Sequence, residues 1–271
     1  MNWANCNNLH DIYYASSVVI NLLLEKGADI ENKNENGDNT LHLACCYDNL
    51  DVVKFLLEKG ANIEAKNNKY GTPLHLACGN DNLEVVKFLL EKGANIESKD
   101  KYDYTPLHYA SMCNFEVVKL LVEKGANIVS KNNKDEIPLH LASFCGNLNI
   151  VKLLLVIDDL KVQDKYGNTP LHWAIHDFDV TKFLLEKGAD VKSRNYEDET
   201  PLHRAIKHYN LRVVVLLKEH LSSITIQYFF RIITSKNITN KLRIEPRNLF
   251  DPEFSDMRKR IFNIDDSRFL K

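Results

Sequence analysis

Apolar and polar positions alternate with a short, recurring plan along most of the chain. Leu83-Glu84-Val85-Val86-Lys87-Phe88-Leu89-Leu90-Glu91-Lys92 puts Leu83, Val86 and Leu90 at i, i+3 and i+7, which predicts an amphipathic helix. A shorter helix is predicted before it, where Leu74 and Ala77 are spaced i, i+3 behind Thr72-Pro73. Thr is suited to the N-cap because its hydroxyl serves an orphan N–H, and Pro fits the first helical position because it has no N–H to lose. Asp81-Asn82 separates the two helices, and Gly93 ends the second, as Gly27, Gly60, Gly125 and Gly188 end similar stretches. The polar segment 95–104 then leads to the next Thr-Pro, so the predicted unit is helix, turn, helix and extended finger.

That unit recurs. Thr72-Pro73-Leu74-His75, Thr105-Pro106-Leu107-His108, Ile137-Pro138-Leu139-His140, Thr169-Pro170-Leu171-His172 and Thr200-Pro201-Leu202-His203 follow one another at spacings of 33, 32, 32 and 31 residues. Thr40-Leu41-His42 lacks the proline, and Asn8-Leu9-His10 is a worn version 32 residues earlier. Seven units result, starting near residues 7, 40, 72, 105, 137, 169 and 200. Leu155–Leu160 lacks the Glu-Lys-Gly-Ala that closes most second helices, which predicts a local irregularity. Met112–Phe115 and Ile175–Asp179 shorten their inter-helix turns.

The succession Thr-Pro-Leu-His-x-Ala, Val-Val-x-x-Leu-Leu and Gly-Ala resembles the ankyrin repeat over about residues 4–221, and six units carry the full Leu-His-x-Ala core. The resemblance implies an all-α solenoid over residues 1–221, built of stacked antiparallel helix pairs with β-hairpin fingers along one edge. Each unit would be stabilised mainly by its neighbours. It also implies that the repeat histidines, His10, His42, His75, His108, His140, His172 and His203, bond to backbone and to the adjacent Thr hydroxyl.

Composition excludes several other functions. Lys plus Arg is 35 against 37 for Asp plus Glu, a net charge of −2, so no basic field for nucleic acid exists. No apolar run approaches the roughly 18 residues of a membrane span, and no secretory leader is legible, so a soluble, cytoplasmic protein is expected, in a host cytoplasm if its source is a virus or an intracellular bacterium. The 6 cysteines show no Cys-x-x-Cys and are expected to be neither ligands nor nucleophiles. His176, His208 and His220 are too dispersed in sequence for a metal site. No phosphate loop, nucleophile elbow or His-Glu-x-x-His is present. No enzyme activity, cofactor or metal is expected.

The resemblance implies a monomeric protein-binding module whose contacts come from finger tips and from the first helix with its turn. Those positions hold Lys69, Tyr70, Lys101, Tyr102, Tyr104, Lys134, Lys165, Tyr166 and Tyr196 on the fingers, with Glu136 and Asn168 beside them. The turns add Tyr47, Met112, Phe144, His176 and Lys207. Tyrosine in polar fingers suits an interface, since it buries much area at little entropic cost; covering neighbouring backbone is the competing role.

Residues 222–271 break the repeat grammar and hold 10 basic against 6 acidic side chains, a net of +4 that leaves −6 for the repeats. The apolar run Ile224–Ile233 is expected to cover the open end of the stack, and Asp251–Phe262 to form a short capped helix. An alternative is an adaptor or host-directed effector whose tail recruits cellular machinery, such as ubiquitin-ligase components, while the repeats select a target.

Overall fold

The computed structural model describes residues 17–112, 114–155 and 157–222. His10 and the expected cap and helix of the tail therefore lie outside the described residues. The chain divides into two compact units, Met1–His220 and Leu221–Lys271, and the first is the one described below.

Its elements alternate between two layers. In chain order they are α1 (Ser17–Glu25), α2 (Thr40–Cys46), α3 (Leu50–Glu58), α4 (Pro73–Gly79), α5 (Leu83–Glu91), α6 (Pro106–Ala110), α7 (Phe115–Glu123), α8 (Pro138–Cys145), α9 (Leu148–Leu154), α10 (Pro170–Trp173), α11 (Phe178–Glu186) and α12 (Pro201–Lys207). A further helix runs over 211–220 of this unit. The even-numbered helices, which open each repeat, pack on one another, and the odd-numbered ones do the same behind them. Among the described residues there is no strand.

The core is a column of equivalent residues. Leu41, Leu74, Leu107, Leu139 and Leu171 are all at most 1% exposed, beside Ala44, Ala77, Ala110, Ala142 and Ala174. Val53, Val86, Val118 and Val151 face them from the second helices. One Ala three residues after each Leu lets the paired helices approach closely, and Leu fills the space between successive pairs. In α11 the column meets Thr181, fully buried, whose hydroxyl donates to the carbonyls of Ala174 and Asp177 at 2.8 and 2.7 Å. A polar group is tolerated there because its hydrogen bond is made.

Helix ends explain the punctuation of the sequence. Gly60 and Gly93 sit at φ +89° and +90°, and the following Ala61 and Ala94 donate back to Leu56 and Leu89 at 2.9 Å, closing each second helix in a left-handed cap. Where Gly-Ala is missing, α9 stops two residues early, Leu155 turns extended (ψ 113°), and the short 3-10 helix Ile157–Lys161 follows. The expected irregularity is located there. The short turns are absorbed by the first helices: α6 has 5 residues, and α10 keeps one turn before the 3-10 segment Ala174–His176.

Polar side chains stitch the repeats together. Asn82 and Asn210 cap the second helices of their units and donate to the carbonyls of Cys45 (2.6 Å) and Ile175 (2.9 Å) one repeat earlier. On the loops behind, Glu31, Glu64 and Glu97 accept the backbone N–H of Asn62, Asn95 and Asn127 at 2.7–2.8 Å, each one repeat on. The next residue in that series is Val129, which has no carboxylate, so the ladder ends one repeat before the irregular junction.

Candidate interaction surface

Each finger is a tight reversal held by one Asn or Asp. The Oδ1 of Asn67 accepts the N–H groups of Lys69 and Gly71, that of Asp100 those of Tyr102 and Tyr104, and that of Asp164 those of Tyr166 and Asn168, all at 2.8–3.0 Å. Asn34, Asn132 and Asn195 do the same in their fingers. The residue at the tip then turns left-handed: Gly37, Tyr70, Asp103, Asp135, Gly167 and Asp198 all have φ between 58° and 80°. Neighbouring fingers share a single backbone hydrogen bond, such as Lys101 N–H to Lys69 O at 2.7 Å and Lys165 N–H to Lys134 O at 2.7 Å. One bond per neighbour does not make a β-ladder, so the fingers are hairpin turns without strands.

The repeat histidines fix each finger to the helix before it. In His75, Nδ1 accepts the Thr72 N–H at 3.1 Å and lies 2.8 Å from the Thr72 hydroxyl, while Nε2 donates to Tyr104 O at 3.0 Å. His42, His108, His140 and His172 reach Gly71, Glu136, Asn168 and Glu199 carbonyls in the same way, at 3.1–3.2 Å. Because one nitrogen must accept and the other donate, the ring is held as the neutral Nε2–H tautomer. Burial pushes the pKa of His42, His75 and His172 down, and those of His108 and His140 to about 4. Ile137 has no hydroxyl, so only its N–H remains for His140 Nδ1, at 3.2 Å.

Against this frame the candidate contact residues separate. Tyr70, Tyr102, Tyr166 and Tyr196 are 54, 45, 55 and 73% exposed, and Lys69, Lys101, Lys134 and Lys165 stand exposed beside them. Tyr47, Met112, Phe144, His176 and Lys207 are likewise exposed along the first-helix turns. Tyr104 differs. It occupies the inward position after the tip, is half-buried, and donates its hydroxyl to Glu136 Oε2 at 3.0 Å; burial first, and then the Glu136 carboxylate, push its pKa up to about 12. Glu136 and Asn168 hold the same position in their fingers and are buried too, at 2 and 7% exposure, so they serve the fingers' internal bonding. Tyr196 lies over Gly167, where a Cβ would come within 2.7 Å of its ring. That ring covers backbone on one side and faces solvent on the other.

Two features went unread in the sequence. Where the finger residue is Asp rather than Asn, its second oxygen accepts from an aromatic donor nine residues on: Tyr109 OH to Asp100 at 3.0 Å, and Trp173 Nε1 to Asp164 at 3.0 Å. The Asn fingers carry Leu43, Leu76, Leu141 and Arg204 at that spacing, so the pairing was visible as a covariation between repeats. Secondly, His176 and His208 are not dispersed. Lying 32 residues apart, they occupy neighbouring repeats and their rings meet at 5.0 Å. Among the described residues no group of His, Cys, Asp and Glu is placed to hold a metal, and no helix is long and apolar enough to cross a membrane.

Comparison with known proteins gives a consistent result. A family model described as ankyrin repeats in three copies matches residues 5–67, 62–132 and 139–228, and a second, of many copies, matches residues 110–155. Among similar proteins, a putative ankyrin repeat protein of Fowlpox virus is 52% identical over 48 residues, 16% of this chain and 9% of that protein. The transient receptor potential cation channel subfamily A member 1 of Homo sapiens is 41% identical over 66 residues, 24% of this chain and 6% of the channel. A probable 26S proteasome regulatory subunit of Saccharomyces cerevisiae is 38% identical over 77 residues, 27% of this chain and 34% of the subunit. The matches thus span between 6 and 34% of each of these relatives.

Proposed function

The chain belongs to the ankyrin-repeat family, and from that premise we propose that it acts as a monomeric, non-catalytic module, without a cofactor, that binds another protein along its finger tips and first-helix turns. Repeats of this family generally mediate protein–protein interaction. The observation that carries the finer reading is the recurrence of exposed tyrosine on successive fingers, above all Tyr102 and Tyr166, on backbone already fixed by Asp100 and Asp164. A rigid aromatic surface loses little entropy on binding. Tyr70 adds to this. It occupies the left-handed tip position that other fingers give to Gly or Asp, at φ 58°, a conformation that costs an ordinary side chain about 1–2 kcal/mol.

A protein partner is favoured over a nucleic acid by the charge at the tips. Asp103, Asp135 and Asp198 pair with Lys99, Lys131 and Arg194 four residues earlier, so acidic charge stands among the basic side chains of the fingers and no uniform basic stripe forms. The test is affinity capture from a cytosolic extract with the full chain and with a Tyr102→Ala/Tyr166→Ala variant, read by quantitative mass spectrometry beside a thermal melt. Partners lost from the variant at an unchanged melting temperature support the reading. The same partners on both proteins would move recognition off the fingers, and a large fall in melting temperature would make the rings structural.

A further inference from the structure

We propose that the strip formed by Phe144, Trp173, His176, Arg204 and His208 docks an acidic segment of a protein partner, with a carboxylate against the two imidazoles and an apolar side chain on the Phe144 and Trp173 rings. This rests on the reading of the first-helix surface as a protein-binding face and adds the chemistry of what it accepts.

The strip is one continuous row drawn from three repeats. Phe144 meets Trp173 edge to face with centroids 5.4 Å apart, Phe144 meets His176 at 5.3 Å, and His176 meets His208 at 5.0 Å. Phe144 is 48% exposed and both imidazoles are exposed, so the row is an aromatic surface and not a core. In the buried repeat histidines both ring nitrogens are committed to backbone. Among the described residues, the ring nitrogens of His176 and His208 have no hydrogen-bond partner, so both rings offer donors to an incoming acceptor.

The unsatisfied donors of the strip, rather than its net charge, suit an anion. Arg204 lies over the Trp173 ring at 6.0 Å with one donor on Asn168 Oδ1 at 3.1 Å, which leaves the rest of its guanidinium fork for a ligand. The nearby carboxylates are largely engaged. Asp177 caps the Val180 N–H at 2.8 Å, Asp164 is buried and bonded to Trp173 and to its own finger, and Glu199 is held by Lys207 at 3.1 Å. Asp179 begins the second helix, Glu197 stands on the finger behind Arg204, and Cys145 follows Phe144 on the preceding repeat. From the following helix, Arg212 is turned over Phe178 at 4.7 Å. Burial, His208 and Arg204 all push the His176 pKa down, so the ring is neutral at neutral pH and a docked carboxylate reverses that push. Binding then takes up a proton and strengthens on mild acidification.

The experiment titrates the full chain with three eight-residue synthetic peptides alike except for the residues flanking a central Phe: two Glu, two Gln or two Lys. Calorimetry at pH 7.5 and 6.0 reads the affinity, and circular dichroism checks the fold at both. The Glu peptide is expected to bind best and to tighten roughly threefold to tenfold at pH 6.0, the range for uptake of about a third to two-thirds of a proton across that interval. The Gln and Lys peptides should show no such gain. A His176→Ala/His208→Ala variant should keep its melting temperature and lose the pH dependence. Equal binding of Glu and Gln peptides, a pH-independent affinity, or a gain retained in the variant would overturn the proposal. So would inorganic phosphate competing as well as the Glu peptide, since the site would then accept any anion. Each of these leaves capture through Tyr102 and Tyr166 intact, whereas loss of all capture specificity would count against the protein-binding reading itself.

Discussion

At the scale of single residues, the finger carboxylates show how one side chain ties two levels of structure. Asp100 and Asp164 use Oδ1 to hold the turn and Oδ2 to hold an aromatic ring of the first helix. Replacing either with Asn keeps the first bond and turns the second oxygen into an NH2 group. Tyr109 can adapt, because a phenol hydroxyl accepts as well as donates, but the Trp173 indole is donor only. Asp164→Asn should therefore cost about 1–3 kcal/mol in urea unfolding and Asp100→Asn less than ~1 kcal/mol. Equal costs would mean the Trp173 bond contributes little. The resemblance to the ankyrin repeat implied the histidine bonds to Thr and backbone, and the half of the latch that acts within one helix turn follows it, whereas the reach of Nε2 to the next finger spans 27–29 residues. The Asp–aromatic pairing was less legible because its partners sit on different elements and only two of the six described fingers carry it.

At the scale of elements, each helix is too short to be stable alone and exists because its apolar face is shared with the next repeat. Leu107 illustrates this: it is 1% exposed in a five-residue helix between its neighbours α4 and α8. Leu107→Ala is expected to cost about 2–5 kcal/mol, measured by denaturant unfolding, and a cost below ~1 kcal/mol would argue against this packing. Helix starts and stops were legible, since Thr-Pro and Gly-Ala act through local backbone geometry. How the shortened turns resolve was not. The sequence near Met112 and Ile175 shows only that residues are missing, and packing against the flanking repeats decided that the first helix shortens while the second keeps its nine residues.

For the whole molecule, acid is the informative perturbation, because five buried histidines repeat one requirement. Their folded pKa values lie below the ordinary 6.5, so the unfolded chain takes up protons first as the pH falls. Stability should be complete above about pH 6.5–7 and decline steadily from there toward pH 4. His108 and His140, with pKa values near 4, would each give up on the order of 3 kcal/mol over that range. Urea midpoints at pH 7.5, 6 and 5 test this, and a flat profile between pH 7 and 5 would refute it. The exposed ion pairs add little on either side, being screened by solvent. By itself, the sequence determined the repeat length, the starts and stops of the regular helices and the core column. All of these arise from contacts within a unit or from the same contact repeated at a fixed spacing. Tertiary structure alone decided which tyrosines face solvent, that Tyr104 and Glu136 turn inward onto each other, and that His176 meets His208. Those outcomes depend on how one repeat is laid against the next, and a side chain's exposure is a property of that stacking and not of its own neighbours in sequence.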